Sequence, residues 1–529
     1  MKHYSIRTLI VSLVLVLAMA FTVAGCTFGP DNGGGGPNDG DGSTDQSIPT
    51  PEMPDIDVIA PETSQPEADD GDLLGDADTS GADAVITLTG ASAEFTGSNV
   101  KVVESDIYGT IVEISKSGTY VVQGTLTQGF VAVSKKELTV TIILNGVNIY
   151  CSNYAAITCL KRSAVTIELA ENSTNYLTDG AEYYDNAEDR YDEDETPNAA
   201  LLIRTDLTIR GSGKLIVNGN CNNGIGSRAN LTIEGGDISV NAVNNALKGN
   251  DSITISGGTL TLISSSDGIK SEDDDALGEV GDINITGGTL VIAAVNDAVQ
   301  AAANLSVANA ALKLKTGGGS AAAATSASAK GLKATIGLTV VSGDIDIDSN
   351  DDSLHAVTVT IEGGALTCAS GDDGIHADET LTVNGGTINI SKSYEGLEAK
   401  DIGLNGGSVR VKSTDDGVNI SGGKDSSATN RPGQGGARPG QPSAGSTAAS
   451  GTLTVTGGIY YVDASGDGLD SNGSIVMSGG TVIVFGPTSG GDAAIDYDGT
   501  FKITGGTLIS LGSSGMAQQP GSTSTQYSF

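Results

Sequence analysis

From about residue 200 onward, one phrase recurs roughly every 22 residues: a short strand segment, a Gly-Gly pair, a second alternating segment, and a turn carrying an acid, a glycine and an aliphatic residue. Starting at Asn230 the chain reads NLTIEGGDISVNAVNNALKG and then DSITISGGTLTLISSSDGIKS. Later copies include TVTIEGGALTCASGDDGIHA, TLTVNGGTINISKSYEGLEA and IGLNGGSVRVKSTDDGVNI. Self-similarity of this length requires a solenoid, in which each repeat buries its apolar face only against its neighbours. Strand segments of four to six residues at this period leave no room for helices. Three strands and their turns fill one coil, so the repeat predicts an all-β parallel β-helix with a period of 21–22 residues. Successive coils pair at about 4.8 Å, and about a dozen of them would make a rod on the order of 60 Å long. The Gly-Gly corners supply positive φ angles without steric cost.

The composition suits such a narrow core and restricts the partners. With 75 Gly, no Trp and 4% aromatic residues, the chain has little material for a globular core of large side chains. A formal charge of −38 excludes nucleic acid, whose phosphates require a basic face. The same charge repels anionic polymers unless cations intervene. Five cysteines without regular spacing argue against a disulfide framework, and no paired Cys/His spacing suggests zinc.

The chain divides by composition. Residues 1–25 read as a lipoprotein signal peptide: Lys2 and Arg7 precede the apolar run IVSLVLVLAMA, and the small residues VAGC follow. VAGC resembles the bacterial lipobox, which places lipid on Cys26 and the protein on the extracellular face of the cell membrane. Residues 26–84 form a tether rich in Gly, Pro, Ser and Asp and free of Lys and Arg, expected to be disordered and to span roughly 40 Å as a coil. An irregular β section at 85–200 opens the folded part, and the regular array occupies 201–512, with insertions at 317–329 and 424–450. An acidic loop at Tyr183–Asp194 is either a solvated insertion or a cation site. Residues 513–529 form a tail with no polar cap, which reads as a truncated C-terminus.

Stacking turns equivalent positions into columns. The first column holds the turn residues Asn223, Asn245, Asp267, Asp297, Asp352, Asp373, Glu395, Asp416 and Asp467, with extra acids at Asp273, Asp274, Asp351, Asp372 and Asp415. Carboxylates about 5 Å apart repel by roughly 1 kcal/mol per pair in water and several-fold more where partly buried. Ca²⁺ ligated by Asp267, Asp273, Asp274, Asp297, Asp351, Asp352, Asp372, Asp373, Asp415 and Asp416 is the natural remedy. The plain alternative is that Asp suits a turn because it hydrogen-bonds its own backbone. The second column, three residues on, reads Lys248, Lys270, Gln300, His355, His376, Glu398, Asn419 and Asp470 and is expected to point outward. It is either a polysaccharide groove, with Lys248, Lys270, His355, His376, Tyr394 and Tyr460 as contacts, or a solvated face. The stacked histidines could also bind a metal. No nucleophile elbow, HExxH or P-loop occurs. Lys248 and Lys270 are the candidates for a lyase base, the alternative being lysines that balance acidic neighbours.

The segments GTYVVQGTL, ILNGVNI, VTIELAENSTNYLTDG and NAALLIRTDLTIRGSGKLIVNGNCNNGI resemble the carbohydrate-binding-domain lipoproteins of clostridia and related bacteria. The resemblance covers most of residues 85–529. It implies a right-handed parallel β-helix, Ca²⁺ binding, affinity for plant cell-wall polysaccharide such as polygalacturonate or cellulose, and structural kinship with pectate lyases. Three functions are then open: a Ca²⁺-dependent, non-catalytic binding module acting as a monomer; a pectate-lyase-like enzyme; and a structural adhesin rod without a glycan ligand.

Overall fold

In the computed structural model, which describes residues 73–159, 161–184, 196–272, 280–421, 451–488 and 491–526, the repeat folds as its periodicity requires. In the coil beginning at Asn230, strand Asn230–Ile233 turns through Gly235-Gly236 into Asp237–Ala242, and a second turn leads to Leu247–Gly249. The next coil repeats this with Ser252–Ile255, Thr259–Ser264 and Ile269–Ser271. Alternation sends every second side chain inward, so Leu231, Ile233, Ile238, Val240 and Leu247 are fully buried. Burying each such side chain is worth about 1.5–3 kcal/mol.

The strands form three stacks of parallel pairs running in register. In the first, Leu207, Leu231, Ile253, Ile283, Leu305 and Leu338 follow one another directly. In the second, Leu215, Ile238, Leu260, Leu290 and Leu312 do the same. In the third, the three-residue strands align Ile225, Leu247, Ile269, Val299, Leu332, Leu354, Ile375 and Leu397. The result is an all-β, solenoid-like stack with one continuous aliphatic core and no helix among the described residues.

The section before residue 200 joins the same stacks. Val140, Val165, Leu207 and Leu231 are consecutive partners. Its irregularity in sequence comes from long strands such as Thr139–Cys151, which pass from the first stack to the second without a Gly-Gly corner. Two antiparallel hairpins, Ala84–Gly90 with Ala93–Gly97 and Val100–Ser105 with Gly109–Ile114, are the exceptions to parallel pairing among the described strands.

The corners need glycine for two reasons. Gly386 has φ +87°, and a Cβ there would lie 2.8 Å from the Gly364 carbonyl oxygen of the preceding coil. The insertion at 317–329 forms a loop held to later coils. Asn350 donates from Nδ2 to the carbonyls of Gly319, Ala322 and Ala323, and Lys392 donates to that of Ser320. The leader, Cys26, most of the tether, Asp185–Asp194, Asp273 and Asp274, and the insertion at 424–450 lie outside the described residues.

Candidate functional site

The turn acids form a ladder. At most steps the side-chain oxygen of one coil accepts the backbone N–H of the equivalent residue in the next. Asn245 donates to Asn223 Oδ1 at 3.2 Å, Asp267 to Asn245 Oδ1 at 3.2 Å, and Asp297 to Asp267 Oδ1 at 3.2 Å. Further along, Asp373 donates to Asp352 Oδ1 at 3.1 Å, Glu395 to Asp373 Oδ1 at 3.2 Å, and Asp467 to Asp416 Oδ1 at 2.6 Å. The Asp-turn reading and the column reading therefore meet in one device: the residue bonds a backbone N–H, but in the neighbouring coil. Each bond to a charged acceptor contributes about 1.5–3 kcal/mol.

The second oxygen of Asp267, Asp352 and Asp373 faces the residue three positions on. Lys270 Nζ lies 2.9 Å from Asp267 Oδ2. His355 Nδ1 lies 2.8 Å from Asp352 Oδ2, and His376 Nδ1 lies 3.0 Å from Asp373 Oδ2. From the next coil, Asn419 donates to Glu395 Oε2 at 2.6 Å. The second column therefore does not stand out from the surface as the sequence suggests. It leans back over the turn acids, and His376, Glu398 and Asn419 are buried. Pairing also accounts for the lyase-base candidates: Lys270 is held by Asp267, and Lys248 Nζ lies 2.9 Å from Glu272.

Two lysines that the repeat hides complete this compensation. The insertion at 317–329 breaks the spacing, and its turn reads Lys330-Gly331 where an acid would stand. Lys330 Nζ lies 3.1 Å from Asp351 Oδ1 and 2.5 Å from Asp352 Oδ2. Lys333, between Gln300 and His355 in the second column, lies 2.9 Å from Asp297 Oδ2. Burial pushes the Asp352 carboxyl up, but Lys330, His355 and His376 outweigh it and hold the group below the ordinary carboxylate range. Burial dominates at Asp373, with Asp352 and Glu398 adding to it, and raises that carboxyl. Burial opposes protonation of His376, but Asp373, Asp378 and Glu398 prevail and raise its affinity for the proton.

Ligand atoms of Asp351, Asp352 and Asp372 lie within 4.8 Å of one another, as do those of Asp467, Asp470 and Asp496. The two clusters differ in what neutralises them. The ammonium of Lys330 already bridges Asp351 and Asp352, and Lys270 and Lys333 serve Asp267 and Asp297 in the same way. The described ion pairs include none to Asp416, Asp467, Asp470 or Asp496. Burial, then Asp415 and Asp470, raise Asp416 to about 8, while burial, then Asp467 and Asp496, raise Asp470 to about 7. A hard cation fits this second cluster best: three half-buried carboxylates that share hydrogen bonds from the Ala493 N–H and the Gln518 amide but meet no side-chain cation among the described ion pairs. Asp467 and Asp470 belong to the two repeat columns. Asp496 is hidden from the repeat because Ala493 occupies the turn position of its coil.

The proposed sugar contacts fare unevenly. Tyr460 aligns between Val409 and Val482 and points into the core at 2% exposure, its hydroxyl donating to the Gly406 carbonyl, so it offers no ring face. Strand alternation instead leaves its neighbour Tyr461 exposed. Tyr394 is half-buried beside Asp415, burial and that carboxylate raising its hydroxyl. His376 is 1% exposed. A concave aromatic surface lies elsewhere: Tyr150, Tyr183 and Tyr184, with Ser152, Asn153 and Glu182, line a cavity of about 500 Å³. It adjoins a cluster on the outside of the third stack, in which Tyr154 lies 4.8 Å from Phe130 and 5.9 Å from Tyr183 between ring centroids. The wall is anchored where the Tyr183 hydroxyl donates at 2.6 Å to buried Asp179, whose carboxyl burial pushes up to about 7. No repeat signal marks these residues, because they precede the regular array.

Comparison with known proteins places the chain. A solved structure described as the polysaccharide lyase-like protein from C. thermocellum, gadolinium derivative, is 39% identical, with a TM-score of 0.42 over 45% of this chain and 92% of that one. A carbohydrate-binding domain-containing protein of Acetivibrio thermocellus (strain ATCC 27405) is 44% identical over 132 residues, 25% of this chain and 45% of that protein. The match thus spans less than half the length of that relative. A family model described as carbohydrate-binding domain-containing protein matches residues 108–374 and 372–417, more than half of the chain. The chain belongs to the family of carbohydrate-binding domain-containing proteins.

Proposed function

We propose that this protein is a lipid-anchored, extracellular lipoprotein that binds plant cell-wall polysaccharide, a pectin-like acidic glycan or cellulose, without catalysis and with Ca²⁺. In this reading the stacked strands form a right-handed parallel β-helix of about a dozen coils acting as a monomer, and lipid on Cys26 holds it to the membrane. The observation that carries sugar binding is the cavity of Tyr150, Tyr183 and Tyr184, which joins ring faces to hydroxyl, amide and carboxylate groups. Sugars are recognised by that combination, apolar C–H faces on aromatic rings and hydroxyls on polar edges. The acid cluster of Asp467, Asp470 and Asp496 supports the calcium requirement, since an acidic chain meets an acidic polymer only through bridging cations.

Affinity electrophoresis through polygalacturonate, and sedimentation with insoluble cellulose, test the reading in Ca²⁺ and in EGTA. Binding to at least one polymer in Ca²⁺ is expected, with loss in the Tyr184→Ala variant. Retardation by polygalacturonate should vanish in EGTA and in an Asp467→Asn/Asp470→Asn variant. No binding to either polymer in Ca²⁺ refutes the glycan assignment, and undiminished binding in EGTA refutes the calcium requirement.

A further inference from the structure

The outer face of the second stack changes character near the end of the array. Every second residue of its strands points away from the core, and equivalent outward positions align from coil to coil. Earlier coils place polar or charged groups there, as at Asp344, Asp346 and Asp348 or at Ser408, Arg410 and Lys412, with single aliphatic residues such as Ile263 among them. In the next three coils Ile459 and Tyr461, then Ile483 and Phe485, then Ile509 and Leu511 occupy these positions.

Strand register makes one patch of these side chains. Tyr461, Ile483 and Ile509 are consecutive partners, and Leu511 follows Phe485. Neighbouring strands stand about 4.8 Å apart, so the side chains lie within contact reach of one another. Ile459, Tyr461, Phe485, Ile509 and Leu511 are 41–54% exposed. With about 200 Å² for a whole side chain of this size, they present about 450 Å² of apolar surface, a scale at which an exposed patch is often functional. Arg410, Lys412 and Asp463 border it as a polar rim, Arg410 beside Tyr461 and Asp463 between Lys412 and Phe485.

Size and charge select what the patch can receive. Two copies packed face to face would bury about 900 Å² here, short of the roughly 1,200–2,000 Å² of stable interfaces. They would also bring together two chains of formal charge −38. The same charge disfavours an anionic lipid surface. An uncharged polymer meets neither obstacle. The outer face of a sheet has no walls to enclose a lone chain, so it suits a surface made of many chains. Sugar rings offer flat C–H faces to aromatic side chains and hydroxyls to a polar rim.

We propose that this face is a second glycan-binding surface, on which Tyr461, Phe485 and their aliphatic neighbours receive the apolar face of a packed, uncharged polysaccharide. The assignment rests on the glycan reading above and adds to it. The cavity of Tyr184 accepts a sugar chain, and the apolar ladder lies against the polymer face.

Sedimentation of the full-length protein with microcrystalline cellulose in Ca²⁺ buffer, alongside titration with soluble cello-oligosaccharide, tests this. Tyr461→Thr/Phe485→Thr places a strand-forming polar residue at two exposed positions, and circular dichroism checks the fold. The double variant should bind cellulose at least ~10-fold more weakly and the oligosaccharide as the wild type does. Equal cellulose binding by the folded double variant, or wild-type binding to oligosaccharide but not to cellulose, overturns the surface and leaves the cavity reading intact. Wild-type binding to neither refutes the glycan reading and this assignment with it. A dimer in sedimentation velocity, or flotation with phosphatidylcholine vesicles, that the double substitution abolishes gives the patch another occupant and likewise overturns the proposal.

Discussion

Replacing Lys330 with Met keeps most of the apolar stem and removes the ammonium that holds Asp351 and Asp352. The lysine side chain is 9% exposed and that of Asp352 is 0% exposed, so water does not take over the lost role. Breaking a buried pair by removing one partner costs about 3–5 kcal/mol, because the remaining charge stays buried and uncompensated. His355 still contacts Asp352, which places the expectation at the lower end, about 3 kcal/mol at pH 7. The sign with pH follows from the direction of the shift. In the wild-type protein the depressed Asp352 carboxyl contributes stability above its unfolded value, about 3.9, and loses it as pH falls through the folded value. Without Lys330 the leading cation is gone and burial raises the group, so the variant's deficit shrinks as pH is lowered from 7 toward 5. Urea denaturation followed by far-ultraviolet circular dichroism measures the midpoint, since the chain has no Trp to report by fluorescence. Hydrogen exchange localises the effect. The amides of Gly331 and Leu332, which donate to the carbonyls of Asp352 and Ser353, should lose protection before those of distant coils. Adding Asp351→Asn to the variant should restore part of the loss. An unchanged midpoint at pH 7, or a deficit that grows on acidification to pH 5, refutes the buried-pair argument.

Asn245→Ala removes both the acceptor for the Asp267 N–H and the donor to Asn223 Oδ1, and should cost about 2–3 kcal/mol in urea denaturation; a loss under a few tenths would show that the ladder is ornamental. Asp179→Asn should flatten part of the pH dependence of stability: the raised wild-type carboxyl favours the folded state at low pH and loses that contribution as pH rises through about 7. The stability difference between the two proteins should therefore move in favour of the variant between pH 5 and pH 8, and an identical pH dependence would contradict this. Gly386→Ala should destabilise by about 2 kcal/mol or more, combining an unfavourable φ with a Cβ 2.8 Å from the Gly364 carbonyl oxygen; thermal denaturation at wild-type temperature would refute the corner argument.

What was legible in the residues is what repeats locally. The alternation of Leu231, Ile233, Ile238 and Val240 prescribes inward faces, the glycine pairs prescribe corners, and the spacing of Asp352, Asp373 and Glu395 prescribes a column of turn acids. The same alternation also assigns Tyr460 to the core and Tyr461 to the surface, although aromatic content alone nominates both. The step from Asp to the residue three positions on was visible as a column, but its direction was not. Whether His376 faces water or folds back on Asp373 depends on what the adjacent coils put beside it.

Sequence by itself determined a parallel stack with acids in register, because strand period, glycine corners and repeat length are set within one coil. Tertiary structure alone decided how that charge is met. Lys330, set in a turn just after an insertion, reaches Asp351 and Asp352 of the next coil, Asp378 faces two histidines because one corner carries an extra residue, and Asp496 joins Asp467 and Asp470 from a coil whose turn lacks an acid. Each of these meetings joins different coils, and in each at least one partner, Lys330, Asp378 or Asp496, departs from the repeat's acid-turn pattern. Electrostatic energy depends on distance and burial, and neither exists until the coils are stacked.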